Sequence, residues 1–213
     1  MGLSRNRWIL TAGVTGTALA VVVAGAVAAN AAQEKPAAGP AAAPSRPAAP
    51  SAEESQPARE PARKRLGAVV DAGFAAKRGA WVIYAVPVKE KSLPRTHFGV
   101  MAGRRLSDGT IVDVVVANEF EGSDRAPGFH AVQGGMEVEG ERTPSFGYYA
   151  GDAARITARA GGRTVVARQA AWSLDGKIKF FWFDPATKAV SDLKAYDGAG
   201  RVLTAGNNQV GVG

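Results

Sequence analysis

The sequence contains no cysteine. That excludes a disulfide scaffold, a thiolate metal centre and a lipoprotein acylated on cysteine. An exported protein without disulfides fits a bacterial envelope better than a eukaryotic secretory route. Histidine is scarce, with only His97 and His130. There is no H-E-x-x-H, and two distant histidines without cysteine fall short of a normal zinc ligand set. G-x-S-x-G is missing as well. Nucleophilic catalysis needs a nucleophile, a base and an orienting group brought together. Either histidine meets a serine such as Ser107 or Ser145 only if the fold arranges it, and both histidines stand near Gly and Pro in expected loops. No catalytic residue, cofactor or metal is therefore assigned.

Concentrated charge is also lacking. The net charge of +7 divides into +2 for residues 1–32, +2 for 33–65 and +3 for 66–213. A nucleic-acid binder gathers its cations on one face or stripe, so no nucleic-acid partner is expected. The run Arg63-Lys64-Arg65 reads as a solvated joint at the end of a linker, with contact to an anionic envelope polymer or lipid surface as the alternative.

What is present begins at the N-terminus. Arg5 and Arg7 precede an uncharged apolar run, Trp8 to Ala29, and the small-residue exit Ala29-Asn30-Ala31 follows it. This pattern predicts a signal peptide or a membrane anchor within residues 1–32, with positive charge held inside and the rest of the chain delivered outside. The run is long enough to span a bilayer. Its dense part, Ala18 to Ala29, has the size of a signal-peptide core. The expected location is extracytoplasmic, either secreted after cleavage near Ala31 or anchored in the membrane by an apolar helix at residues 8–29.

Residues 33–65 form a low-complexity Ala/Pro linker, with Pro36, Pro40, Pro44, Pro47, Pro50, Pro57 and Pro61 at short intervals. Such a segment buries too little apolar surface to fold, and regular prolines stiffen it toward polyproline II. At about 3.1 Å per residue its ~30 residues reach roughly 95 Å. It reads as a spacer.

Residues 66–213 predict one all-β domain, an antiparallel β-sandwich or partly open barrel. Trp81 to Val88 is apolar at both parities, as a strand buried on both faces is. Within Thr110 to Ala117, Val112, Val114 and Val116 share one face against Asp113. Arg155 to Ala160 alternates. Gly161-Gly162 turns into Thr164 to Leu174, and Asp175-Gly176 turns into Lys177 to Phe183; such dipeptides between alternating runs are strong hairpin signals. Val190 to Tyr196 and Arg201 to Thr204 flank the turn Asp197 to Gly200. Only Ala68 to Lys77 reads as a short helix.

From Pro144 to Gly213 the chain resembles the C-terminal part of uncharacterised exported proteins of actinomycete bacteria. The likeness rests on Phe146-Gly147-Tyr148-Tyr149, Ala154-Arg155-Ile156, Trp172-Ser173, Phe181-Trp182-Phe183, Ala195-Tyr196-Asp197 with Gly200-Arg201, and Gly206-Asn207-Asn208 to Gly211-Val212-Gly213. The resemblance implies an extracytoplasmic location and a β-rich fold. It brings no chemistry with it.

Several groups stand out as candidate sites. Glu119, Glu121 and Asp124, beside Asn118, offer oxygen ligands to a cation, although their spacing fits no EF-hand loop. Glu137, Glu139 and Glu141 alternate, mirror Arg155 and Arg159, and suggest cross-strand ion pairs. In Lys177 to Phe183, parity assigns Ile178, Phe180 and Trp182 to the core. The opposite face, Lys177, Lys179, Phe181 and Phe183, predicts an exposed apolar patch with a cationic rim, the kind that marks an interaction surface. The reading that follows is a non-enzymatic interaction or structural protein of the bacterial cell envelope, contacting an envelope protein or glycan. The alternatives are a glycan-binding module, with Trp172, Tyr148 or Tyr149 stacking on sugar rings, and a small secreted hydrolase using His97 or His130.

Overall fold

The structure, a computed structural model, describes residues 63–211. The apolar run at 8–29 and the spacer up to residue 62 lie outside the described residues. Within them the chain forms strands and turns with no helix. β1 (Leu66–Ala76), β2 (Gly79–Pro87), β3 (Phe98–Arg105) and β4 (Ile111–Asn118) pair in chain order as the first antiparallel sheet. Then come β5 (Gly128–Gln133), a small hairpin of β6 (Glu137–Val138) and β7 (Glu141–Arg142), β8 (Phe146–Ala150), β9 (Arg155–Ala160), β10 (Arg163–Val166), β11 (Arg168–Trp172), β12 (Asp175–Trp182) and β13 (Val190–Tyr196). β11-β12-β8-β5 make a second antiparallel sheet and β10-β9-β13 a third.

The three sheets stack as layers, with the second in the middle. One core lies between the first and middle sheets, where Ile83, Ala85, Phe98 and Val100 meet Phe146, Tyr148, Phe180 and Trp182. A separate core lies on the opposite face of the middle sheet, where Phe129, Tyr149, Phe181 and Phe183 meet Ile156, Ala158, Leu193 and Ala195. A strand with a layer on each side has no solvent face, which is why Lys177 to Phe183 ends as the unbroken aromatic run Phe180-Phe181-Trp182-Phe183. The expected exposed patch is thereby overturned. Phe181 is 0% exposed and Phe183 2%, and their rings pack edge to face with centroids 6.2 Å apart.

Glycine lets the middle sheet close. Phe181 pairs with Gly147 across the strands, and a Cβ at Gly147 would stand 2.9 Å from the Phe181 ring. The absent side chain is the space the ring occupies. At the sheet's free edge the C-terminal segment runs parallel to β5, with bridges Phe129 to Gly206 and Gln133 to Gly211. It covers the hydrogen-bonding groups that an edge strand otherwise leaves open.

Other local expectations are corrected. Ala68 to Ala76 belongs to strand β1 and Lys77 to the turn after it: Gly73 adopts φ of +71°, which no helix accommodates, and β1 pairs along β2. Thr164 to Leu174 is two strands rather than one. β10 pairs with β9 in the third sheet, Ala167 is the crossing point, and β11 pairs with β12 in the middle sheet. The tight turn falls at Ser173 and Leu174, ahead of Asp175-Gly176. In β4 a bulge at Val114 separates the pairs Ala102–Val115 and Gly103–Asp113. An extra residue reverses parity, so Asp113 comes to the side of Tyr84, which donates a hydrogen bond to it. Glu139 and Glu141 do not face Arg155 and Arg159. They flank the buried Arg104, whose Nη2 reaches Glu139 Oε2 at 2.6 Å and whose Nη1 stands 3.8 Å from Glu141 Oε2.

Candidate functional site

The carboxylates and histidines noted in the sequence converge at the loop between β4 and β5. β4 ends at Asn118, and the next residue, Glu119, turns inward and is 2% exposed. Its Oε1 accepts from the Phe120 amide at 3.0 Å, the Glu121 amide at 3.3 Å and Asn207 Nδ2 at 3.2 Å. Its Oε2 lies 2.7 Å from His130 Nδ1. Burial pushes this carboxyl group toward a higher pKa. The bonds from His130 and the two amides together overcome that and hold it below the ordinary carboxylate value.

His130 is not in a loop. It sits within β5, 4% exposed, with its ring stacked on Tyr148 at a centroid distance of 5.0 Å. Nε2 is 2.6 Å from the Ala126 carbonyl oxygen. A carbonyl can only accept, so Nε2 donates to it, while Nδ1 faces the Glu119 carboxyl group. Both ring nitrogens are thus engaged inside the domain, Nδ1 by Glu119 and Nε2 by the Ala126 carbonyl. Ser145 does not meet it, since its Oγ accepts from the Gly135 amide at 2.9 Å. Ser107 is exposed in the β3–β4 turn.

His97 stands at the entry to β3 with its side chain 70% exposed. Asp124, fully buried, accepts at Oδ2 from the His97 amide at 2.7 Å, and the same oxygen lies 3.2 Å from His97 Nδ1. The Asp124 carbonyl accepts from the Tyr148 hydroxyl at 2.9 Å. These bonds pin the loop to β3 and β8. A cleft of about 510 Å³ opens beside it, lined by Phe120, Glu121, Ser123, His130 and Asn207 among others. As for a cation at 118–124, no group of three or more His, Asp or Glu is arranged to hold a metal among the described residues.

Tyr148, Tyr149 and Trp172 do not form the aromatic platform expected for sugars. Tyr148 and Tyr149 do point to opposite faces, but both are buried, as is Trp172. Each uses its polar atom internally: Trp172 Nε1 donates to the Leu66 carbonyl at 2.9 Å and the Tyr149 hydroxyl to the Thr204 carbonyl at 3.0 Å. Of the four residues assigned to an interaction surface, Lys177 is exposed, Lys179 half-buried, and Phe181 and Phe183 are core. The joint Arg63-Lys64-Arg65 is likewise not wholly solvated. Arg63 Nε is 3.5 Å from Asp113, and the Arg65 guanidinium lies 5.4 Å above the Tyr84 ring.

One surface was not singled out in the sequence. The third sheet turns Ile156, Ala158 and Ala160 inward and leaves Arg155 and Arg159 exposed on its outer face. On β13, Ser191 pairs with Arg159, Lys194 with Thr157 and Tyr196 with Arg155. The alternation of β9 was legible; what hid the surface was the assignment of its arginines to Glu137, Glu139 and Glu141. Compared with known protein-family models, with curated proteins and with solved structures, the chain has no match.

Proposed function

We propose that this chain is a non-enzymatic interaction protein of the bacterial cell envelope, an extracytoplasmic domain presented on a Pro/Ala spacer behind a signal peptide or membrane anchor. The resemblance of residues 144–213 to exported actinomycete proteins supports that location, as does Arg5 and Arg7 ahead of the apolar run. The observation that carries the binding role is the outer face of the third sheet. Arg155 and Arg159 are exposed there on a rigid, doubly backed scaffold, and neither forms an ion pair among the described residues. By contrast Arg104, Arg105, Arg125 and Arg201 all pair with carboxylates. A cation left without an internal carboxylate, on a face with inward-packed neighbours, is available to an external anion.

The glycan-binding alternative draws on the cleft beside the β4–β5 loop, whose lining includes Phe120 together with Asn207, Ser123 and Glu121. Sugar recognition uses such a mixture of amide, hydroxyl and carboxylate around an aromatic body.

Fractionating cells that express the full chain tests the envelope reading. The expected result is recovery in the envelope or the medium, with the domain open to protease in intact cells. Recovery of the intact chain as soluble cytoplasmic protein overturns it.

A further inference from the structure

We propose that the outer face of the β10-β9-β13 sheet binds a linear polymer bearing phosphodiester groups; this rests on the envelope reading above and names the partner. Residues four apart on a strand stand on one face and roughly 13 Å apart, which is the separation of Arg155 and Arg159 along β9. Lys194 pairs opposite Thr157, midway between them on the neighbouring strand about 4.8 Å away. The three cations thus form a row rather than a single pocket. A row takes several anionic groups in series, as a polymer supplies them.

The two guanidinium groups are held in place before any ligand arrives. Arg159 Nη1 donates to Thr164 Oγ1 at 3.1 Å and its Nη2 to the Gly162 carbonyl. The Arg155 guanidinium lies 4.6 Å above the Tyr196 ring. Stacking on a ring leaves the edge of the guanidinium fork free to meet two oxygens of one phosphate. Exposed Thr164 and Ser191, each paired with Arg159 across the strands, add hydroxyl donors beside it. Asp192 approaches the row, with its Oδ2 3.4 Å from Lys194 Nζ.

The same face argues against a nucleic acid. Binding of single strands relies on open aromatic rings on which bases stack, and here Tyr196 is covered by Arg155. A polymer of phosphate-linked polyols or sugars has no base to stack and needs only the charged row.

The test uses the purified full chain, its Arg155→Gln/Arg159→Gln variant and a Lys177→Gln/Lys179→Gln control. Synthetic poly(glycerol phosphate), polygalacturonate and oligo-dT are the probes, each at two salt concentrations. The wild type and the control should bind poly(glycerol phosphate), more weakly at higher salt. The arginine variant should lose about tenfold or more, since each cation near an anionic array contributes about a factor of five. Its melting temperature should match wild type because both side chains are exposed; Lys194→Gln, expected to weaken binding less, gives an independent reading of the same row. The inference is overturned if the wild type does not bind, if the arginine variant binds as the wild type does, or if oligo-dT or polygalacturonate binds equally well. Fractionating the same cells separates the two readings: loss of polymer binding with envelope recovery intact removes only this inference, whereas cytoplasmic recovery removes the reading beneath it.

Discussion

The imidazole of His130 and the carboxyl group of Glu119 form a hydrogen-bonded pair closed off from solvent, with Nδ1 and Oε2 2.7 Å apart and side chains 5% and 2% exposed. The other polar atoms of the two side chains are also bonded, Glu119 Oε1 to two amides and Asn207 and His130 Nε2 to the Ala126 carbonyl. The pair joins the loop after β4 to the middle sheet.

Removing one partner of a buried pair costs far more than removing an exposed pair, about 3–5 kcal/mol. Glu119→Gln should therefore lower unfolding free energy by roughly that amount at pH 7. The native carboxyl is held below its ordinary value, so its contribution is complete above about pH 4.5 and disappears as pH falls through the native value. Urea unfolding of both proteins at neutral and acid pH reads this directly. The gap between them should shrink on acidification, and a gap independent of pH would rule out an ionised Glu119 in the folded domain.

His97 offers the contrast. Its imidazole is mostly in water, and Asp124 keeps the bond from the His97 amide whatever the side chain. His97→Ala should cost no more than about 1 kcal/mol, the range of exposed pairs. A loss comparable to that of Glu119→Gln would show that the His97 ring, and not the backbone, holds the loop.

Burial also acts on the tyrosines. Tyr84 and Tyr148 are held well above the ordinary phenol range, in each case chiefly by burial, with Asp113 adding to the effect at Tyr84 and Asp124 at Tyr148. A raised native pKa stabilises the fold at pH values below the unfolded value, about 10, and that contribution is lost as pH rises beyond it. Absorbance titration of the four tyrosines should show Tyr84 and Tyr148 ionising only as the fold opens in alkali. Ionisation of all four near pH 10 with the fold intact would contradict their burial.

The sequence made the β architecture legible where periodicity was clean. Arg155–Ala160 and Val190–Tyr196 coincide with β9 and β13, and the apolar run at Trp81 marks a strand sealed on both sides. It failed where a backbone irregularity or a third layer intervened. One inserted residue at Val114 reversed the parity of β4, and the left-handed Gly73 turned an apparent helix into β1. The parity of β12 was legible, with Phe180 and Trp182 on one face and Phe181 and Phe183 on the other. What parity cannot reveal is whether the second face meets water, because that depends on strands β9 and β13 arriving later in the chain. The His130–Glu119 pair was out of reach for a similar reason: a bulge beyond His130 and the path of the intervening loop decide it.

The layered arrangement, with the aromatic end of β12 sealed on both faces and the cationic row displaced to the outer sheet, rests most directly on Phe181. Urea unfolding of Phe181→Ala beside Trp182→Ala is the decisive comparison. Truncating a large aromatic side chain in a core costs about 3–5 kcal/mol, and both variants should lose that much, since both rings are buried. If Phe181→Ala unfolded at nearly the wild-type midpoint while Trp182→Ala lost several kcal/mol, the third sheet would not cover the middle one, and the interaction surface would return to the face of Lys177 and Lys179.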